Sequence, residues 1–288
     1  MTLSIRVLAV ATALLAAAVP ANAAPALWEV SDGDSKIWLF GSIHLLPPEV
    51  AWRTDVFDQT LANADRVYFE TDVGSAMQAT ILTSAMAKGL NPLGTTLSSQ
   101  LDEADVAALR ATITKWKLPI GYIQSMKPWL ATTMITTAVI ASVGYDPNSG
   151  VDIVLQRELP AERQAYFETA DEQLDFLAGA SQEEQVDMLV DTINKLDELP
   201  SQLNDMVTAW SDGTPDKMAE AFFDDLAGYD AFTQRLIFDR NKNWVEKIDT
   251  MLAKNEQDLI VVGAGHLMGD GSVVDLLEKS GFSVKRLQ

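Results

Sequence analysis

The stretch WLFGSIHLLP, residues 38–47, ends an apolar run in Gly41 and places His44 three positions later. The chain holds one other histidine, His266. It stands in LIVVGAGHLMG, residues 259–269, again behind an apolar run and again with a glycine, Gly263, three positions before it. Two histidines in one local setting at opposite ends of the chain predict a sheet that takes strands from both ends. A glycine at that offset permits a sharp turn or a close backbone approach, so that an imidazole can be aimed back across a strand end.

Working outward from residues 38–47, Leu27 to Val30 and Lys36 to Phe40 read as a hairpin around Ser31-Asp32-Gly33-Asp34. Arg66 to Phe69 reads as a short strand ending in Glu70, and Gln164 to Phe167 as another ending in Glu168. Asp258 to Val262 leads to His266, and Ser283 to Leu287 closes the chain as a strand. Helical periodicity fills the interior, from Ser75 to about Leu159 and from Gln182 to Asn255, with breaks at Pro200 and Gly213-Thr214-Pro215. Thr169-x-x-Glu172 is a capping box, and Ser272 to Ser280 a further helix. The fold class predicted is α+β (α/β-like): a central mixed sheet built from strands at both ends of the chain, with a large helical insertion.

Residues 1–23 carry Arg6, an apolar run from Val7 to Val19 and Ala21-Asn22-Ala23 as a cleavage site, the pattern of a secretory signal peptide. The expectation is a single mature domain over residues 24–288 in the periplasm or medium, with no membrane span after signal cleavage. Lys127 to Val143 is almost wholly apolar, but it is short and contains Pro128, and reads as a buried core helix or the lining of an apolar groove. There are no cysteines, so thiolate ligands and nucleophiles are excluded. With 21 Lys and Arg against 41 Asp and Glu, the net charge of −20 argues against a nucleic-acid partner.

Four apolar strands thus end in His44, Glu70, Glu168 and His266. Groups beyond the carboxyl ends of strands are held by a rigid core yet open to ligands, which makes these four candidates for one site. Two imidazoles with one or two carboxylates suit a divalent metal such as Zn²⁺, Mn²⁺, Co²⁺ or Fe²⁺, with water as nucleophile and a spare Glu as general base. The competing reading is structural: hydrogen-bonded histidines, and glutamates that face solvent or pair with arginines. Arg240 and Trp244 stand one helical turn apart, so Arg240 either fixes a carboxylate such as Glu168 or stabilises an oxyanion. Asn241 lies beside it without support from spacing. Asp146, Asp152 and Glu172 read as capping residues. No G-x-S-x-G elbow and no complete calcium loop are present.

LFGSIHLLPPEVAWR, KPWLA, GYDPNSGVDIVL, FETADEQL, RNKNWVEKI and VGAGHLMGDGSVVDLLEKSGFSVKRL, with the paired G-x-x-H motifs, resemble the TraB/GumN family in order and across the mature chain. Its relatives include the Tiki metalloproteases and the pheromone-shutdown proteins. The resemblance implies a metal-dependent hydrolase, a peptidase acting on a peptide or protein, with Mn, Co or Zn as cofactor. His44 and His266 are implied as metal ligands and Glu70 as the acidic ligand or catalytic base, with Arg240 and Glu168 in support. It also implies similarity to the erythromycin esterase and ChaN-like folds. The alternative is a non-catalytic factor that binds metal, haem or glycan, in keeping with the polysaccharide association of GumN-type members.

Overall fold

The computed structural model describes residues 24–288; the expected signal peptide lies outside the described residues. The fold is α+β, with six strands in one mixed sheet: β1 (Leu27–Ser31), β2 (Lys36–Ser42), β3 (Val67–Phe69), β4 (Gln164–Tyr166), β5 (Leu259–Gly263) and β6 (Ser283–Arg286). Their order is β4-β3-β5-β2-β1-β6. Strands β2 to β5 run parallel, while β1 is antiparallel to both of its neighbours, β2 and β6. The carboxyl ends of β2, β3, β4 and β5 therefore share one edge.

The central strands are apolar throughout because both faces are covered, as parallel sheets require. Side chains alternate between the faces. Trp38, Phe40, Phe69 and Val261 pack on Phe57, Leu155 and Trp210 on one side. Ile37, Leu39, Ile260 and Val262 pack on Trp244, Ile248 and Leu277 on the other. A third cluster, with Leu109, Ile135, Val139 and Leu189, is the core of the helical insertion.

Helix Pro128–Ser142 buries Trp129, Leu130, Ala131, Ile135, Val139 and Ile140 and starts with Pro in its first turn, where the missing N–H costs nothing. No helix among the described residues is long and apolar enough to cross a membrane. Most strand boundaries differ from expectation by a residue, and two differences bear on the fold. Strand β2 runs on to Ser42 because Gly41 and Ser42 pair with Val262 and Gly263. The break expected at Pro200 falls before it, since helix Leu199–Ser211 carries Pro200 in its first turn.

Gly41 does not serve a left-handed turn; it allows a close approach. A Cβ there would lie 3.0 Å from the Cα and Cβ of Ala264, so only glycine lets the β2 end meet the residue after β5. Gly150 does the same for the loop carrying His44. Val151 N–H donates to Ile43 O at 3.0 Å and Asp146 N–H to Leu46 O at 3.0 Å, and a Cβ on Gly150 would sit 2.0 Å from the His44 carbonyl oxygen. Gly150→Ala is expected to lower stability by about 1–3 kcal/mol. A fall of several degrees in the thermal midpoint by circular dichroism is the readout, and an unchanged midpoint would show that the loop is free to move.

Candidate active site

Glu70 follows β3 directly, and parallel pairing places Phe69 opposite Val261. Its Oε1 accepts from Gly263 N–H at 2.7 Å. Its Oε2 accepts from Gln173 Nε2 at 2.9 Å and forms a short ion pair with Arg240 Nη2. The carboxylate is buried.

Both imidazoles are tied at Nδ1. His44 Nδ1 lies 2.7 Å from Asp152 Oδ2, and Asp152 Oδ1 accepts from Ser42 Oγ at 3.0 Å. His266 Nδ1 lies 2.7 Å from Asn241 Oδ1, whose amide is oriented by Nδ2 donating to Gly271 O at 2.9 Å. These partners accept, so the Nδ1 protons stay on the rings and Nε2 is left to face the site. His266 Nε2 is 3.8 Å from Glu70 Oε1 and 3.0 Å from Arg240 Nη1. Gly263 lies between the three groups. A Cβ on it would stand 3.1 Å from Glu70 Oε1, 3.5 Å from His44 Nε2 and 3.7 Å from His266 Cδ2.

Arg240 is buried near the start of helix Asp239–Ala253, directly after a π-helical turn at Gln234–Phe238. Such turns recur at functional sites. Its guanidinium donates from Nε to Glu168 Oε1 at 2.9 Å and from Nη2 to Glu168 Oε2 at 2.8 Å, in the two-pronged geometry that favours arginine. It lies between the rings of Phe176 and Trp244, 5.2 and 4.7 Å from their centroids. Trp244 Nε1 donates to Glu168 Oε1 at 3.0 Å, so one tryptophan fixes the carboxylate and stacks on the cation it holds.

The two histidines are opposite in charge state. The Asp152 carboxylate, 2.7 Å from its Nδ1, pushes His44 up to about 9. Burial pushes His266 down to about 3, so it stays neutral. For Glu70, burial opposes ionisation, but Arg240, both histidines and the Gly263 N–H hold its carboxyl well below the usual range.

In the metal-free protein the signs follow by linkage. His44, raised from 6.5, contributes stability that is complete below pH 6.5 and lost as pH rises towards 9. His266, lowered from 6.5, takes up its proton only on unfolding, so stability falls as pH drops from 6.5 towards 3; Glu70 acts in the same direction below its ordinary 4.5. The site's contribution is therefore expected to peak near pH 6.5 in a series of denaturant titrations. His44→Gln should remove the alkaline limb, and an unaltered alkaline limb in that variant would refute the assignment.

The structure brings together His44, His266, Glu70, Glu168 and Arg240, as the sequence expected of one site. Asn241 fixes His266, and Glu172 closes the capping box with Thr169. Asp146 caps a short turn, but Asp152 does not cap its helix: Gly150 occupies that position, and the Asp152 carboxylate holds His44 instead. Gln173 and Thr71 stand at no diagnostic spacing in the sequence; the apolar cavity of about 500 Å³ beside the cluster is lined in part by Ile140 of helix Pro128–Ser142, within the segment read as core helix or groove lining.

A parallel-stranded α+β core with two anchored imidazoles and a guanidinium-paired carboxylate at its strand ends defines a class of compact catalytic or ligand-binding centre. The chain belongs to the TraB/PrgY/gumN family, which it matches over residues 26–286. It is also similar to two proteins named "Metalloprotease TIKI homolog". The Amphimedon queenslandica protein is 36% identical over 66 residues, 22% of this chain and 13% of that relative. The Nematostella vectensis protein is 38% identical over 56 residues, 19% of this chain and 12% of that relative. The matched stretches thus span only a small part of those relatives' length. No solved structure matches the chain.

Proposed function

We propose that the protein is an exported, divalent-metal-dependent hydrolase that cleaves an amide bond in a peptide or protein. The observation that carries this reading is the arrangement around Gly263: the His44 Nε2, the Cδ2 edge of the His266 ring and one Glu70 carboxylate oxygen lie about the same glycine, each imidazole tied at Nδ1 by Asp152 or Asn241. Support also comes from the family and from the partial likeness to the TIKI homologues.

This donor set suits Mn²⁺, Co²⁺ or Zn²⁺, with His44, His266 and Glu70 as the residues that would hold the ion. Among the described residues no three His, Cys, Asp or Glu side chains already form a ready metal-holding group. Arg240 Nη1 lies 3.0 Å from His266 Nε2, so this nitrogen would serve as a ligand only when parted from the guanidinium. When bound, the metal supplies Lewis acidity towards a carbonyl and lowers the pKa of water.

The chain's own residues do the rest. Glu70, kept ionised beside Arg240, either helps to hold the ion or takes a proton from the attacking water. Arg240, held by Glu168 and two aromatic rings, presents N–H groups towards negative charge developing on the carbonyl oxygen. Asp152 and Asn241 keep both imidazoles in one tautomer and one orientation.

Calorimetric titration of the mature protein with Mn²⁺, Co²⁺ and Zn²⁺, beside the His44→Ala/His266→Ala double variant, tests this. One equivalent bound by the wild type and none by the variant is expected, with new termini from a peptide library under the same metal. Absence of metal binding by the wild type would overturn the reading. Binding without cleavage would favour the alternative of a non-catalytic metal-binding factor.

A further inference from the structure

We propose that the substrate carries a long, unbranched acyl chain on the carbonyl side of the bond that is cut, and that the apolar cavity under the helical insertion takes up this chain. The inference rests on the hydrolase reading above and names its substrate class.

The cavity reaches the strand ends, where His44, Glu70, Arg240 and His266 line it. The remaining wall comes from five separate helices, through Ile81, Ile140, Leu174, Leu203, Met206 and Phe222. Five helices thus converge to enclose apolar space beside a charged cluster. That is the shape of a site for an amphiphile, with its polar head at the guanidinium and its tail in the cavity.

Size and polarity decide what kind of tail. A methylene takes up about as much room as a water molecule, about 30 Å³. A cavity of about 500 Å³ therefore has room for on the order of ten to fifteen carbons. A single amino-acid side chain would leave most of it empty, at the cost that unfilled apolar space carries. A run of peptide could fill it, but each buried N–H and C=O needs a partner. The polar groups of the wall are already engaged with one another at the strand ends: Gln173 with Glu70, Ser42 with Asp152, Arg240 with Glu168. An acyl chain makes no such demand.

Among the described residues, one fully enclosed polar side-chain atom of the wall is unpartnered. Thr71, the residue after Glu70 and 6% exposed, has a hydroxyl with no hydrogen-bond partner. It stands next to the Glu70 carboxylate and can accept the single N–H of an acyl amide. A substrate with one amide at the mouth and methylenes behind it satisfies this hydroxyl. In the reaction, water oxygen bonds to the acyl carbon, the C–N bond breaks, and the nitrogen leaves with a proton, giving a fatty acid and a free amine.

The test uses the metal-loaded full mature chain and a series of N-acyl glycines from acetyl to hexadecanoyl, with product release followed by mass spectrometry. The expected result is a kcat/KM that rises about two- to fourfold per methylene until the cavity is full, then levels or falls. Leu203→Trp and Met206→Trp, which fill part of the cavity, should move the optimum to shorter chains. Binding of dodecanoate to the metal-free protein, followed by displacement of a fluorescent fatty acid, gives a readout that needs no turnover.

Cleavage of ordinary peptides with no gain from acyl length would overturn the inference and leave the hydrolase reading standing. Tight dodecanoate binding, weakened by both tryptophan variants, without cleavage of any amide would overturn the hydrolase reading while supporting the assignment of the cavity. Neither binding nor cleavage would overturn both.

Discussion

Arg240→Ala is expected to lower the stability of the fold by about 3–5 kcal/mol, because removing one partner from a buried ionic cluster leaves the others charged and unpaired. Arg240 lies between two buried carboxylates, Glu70 and Glu168, whose side chains are 8% and 9% exposed. Without the guanidinium both must either stay ionised without a counter-charge or take up protons, and Trp244 loses the cation above its ring. At roughly 2–4 °C per kcal/mol for a chain approaching this size, the thermal midpoint should fall by about 10 °C. The control is the triple variant Arg240→Ala/Glu70→Gln/Glu168→Gln, in which the stranded charges are gone; it should recover much of the loss. Arg240→Lys should fall between, since an ammonium cannot span Glu168 in the two-pronged way a guanidinium does. A midpoint for Arg240→Ala within a degree or two of wild type would mean that the cluster carries none of the fold's stability.

His44→Ala is expected to reduce turnover at least a thousandfold and to abolish stoichiometric metal binding, while leaving the fold intact. The two histidines are unequal as test positions. His266 is buried against Trp244, with ring centroids 4.5 Å apart, so its truncation opens a hole in the core and confounds activity with stability. His44 has a side chain 57% exposed, and its removal disturbs little packing. Asp152→Asn should be milder, with metal affinity reduced about 10- to 100-fold, as is usual when the group orienting a ligand is altered. Retained cleavage in His44→Ala would sink the proposed mechanism.

Much of the sheet was legible because its local signals agree with the final structure. The apolar runs at residues 37–40 and 259–262 are buried on both faces, and the Asp-Gly turn between β1 and β2 is stated locally. The offset of Gly41 from His44 and of Gly263 from His266 marked the two strand ends correctly, although for another reason than a turn: each glycine lets backbone or side chains approach closely. The four-residue spacing of Arg240 and Trp244 likewise announced a shared helix face.

What stayed hidden depends on contacts between distant segments. An acidic residue in the first turn of a helix ordinarily interacts with that helix's own N-terminus, and nothing local distinguishes Asp152, which reaches across to a loop more than a hundred residues earlier. Gln173 lies on an amphipathic helix whose polar and apolar positions do not reveal which will face a cavity. The cavity itself takes one or two residues from each of several helices, and no single helix encodes it.

The place of β5 in the sheet has a consequence for the order of events during synthesis. It lies between β3 and β2, so the last part of the chain to emerge must slot into the middle of a sheet begun by the first part. Until it does, Glu70 has no Gly263 N–H, Arg240 has no His266 beside it and the apolar floor of the site is missing. Non-local pairing of this kind is slow compared with helix formation. The groups around Gly263 therefore come together only after residues 259–266 have docked between β2 and β3.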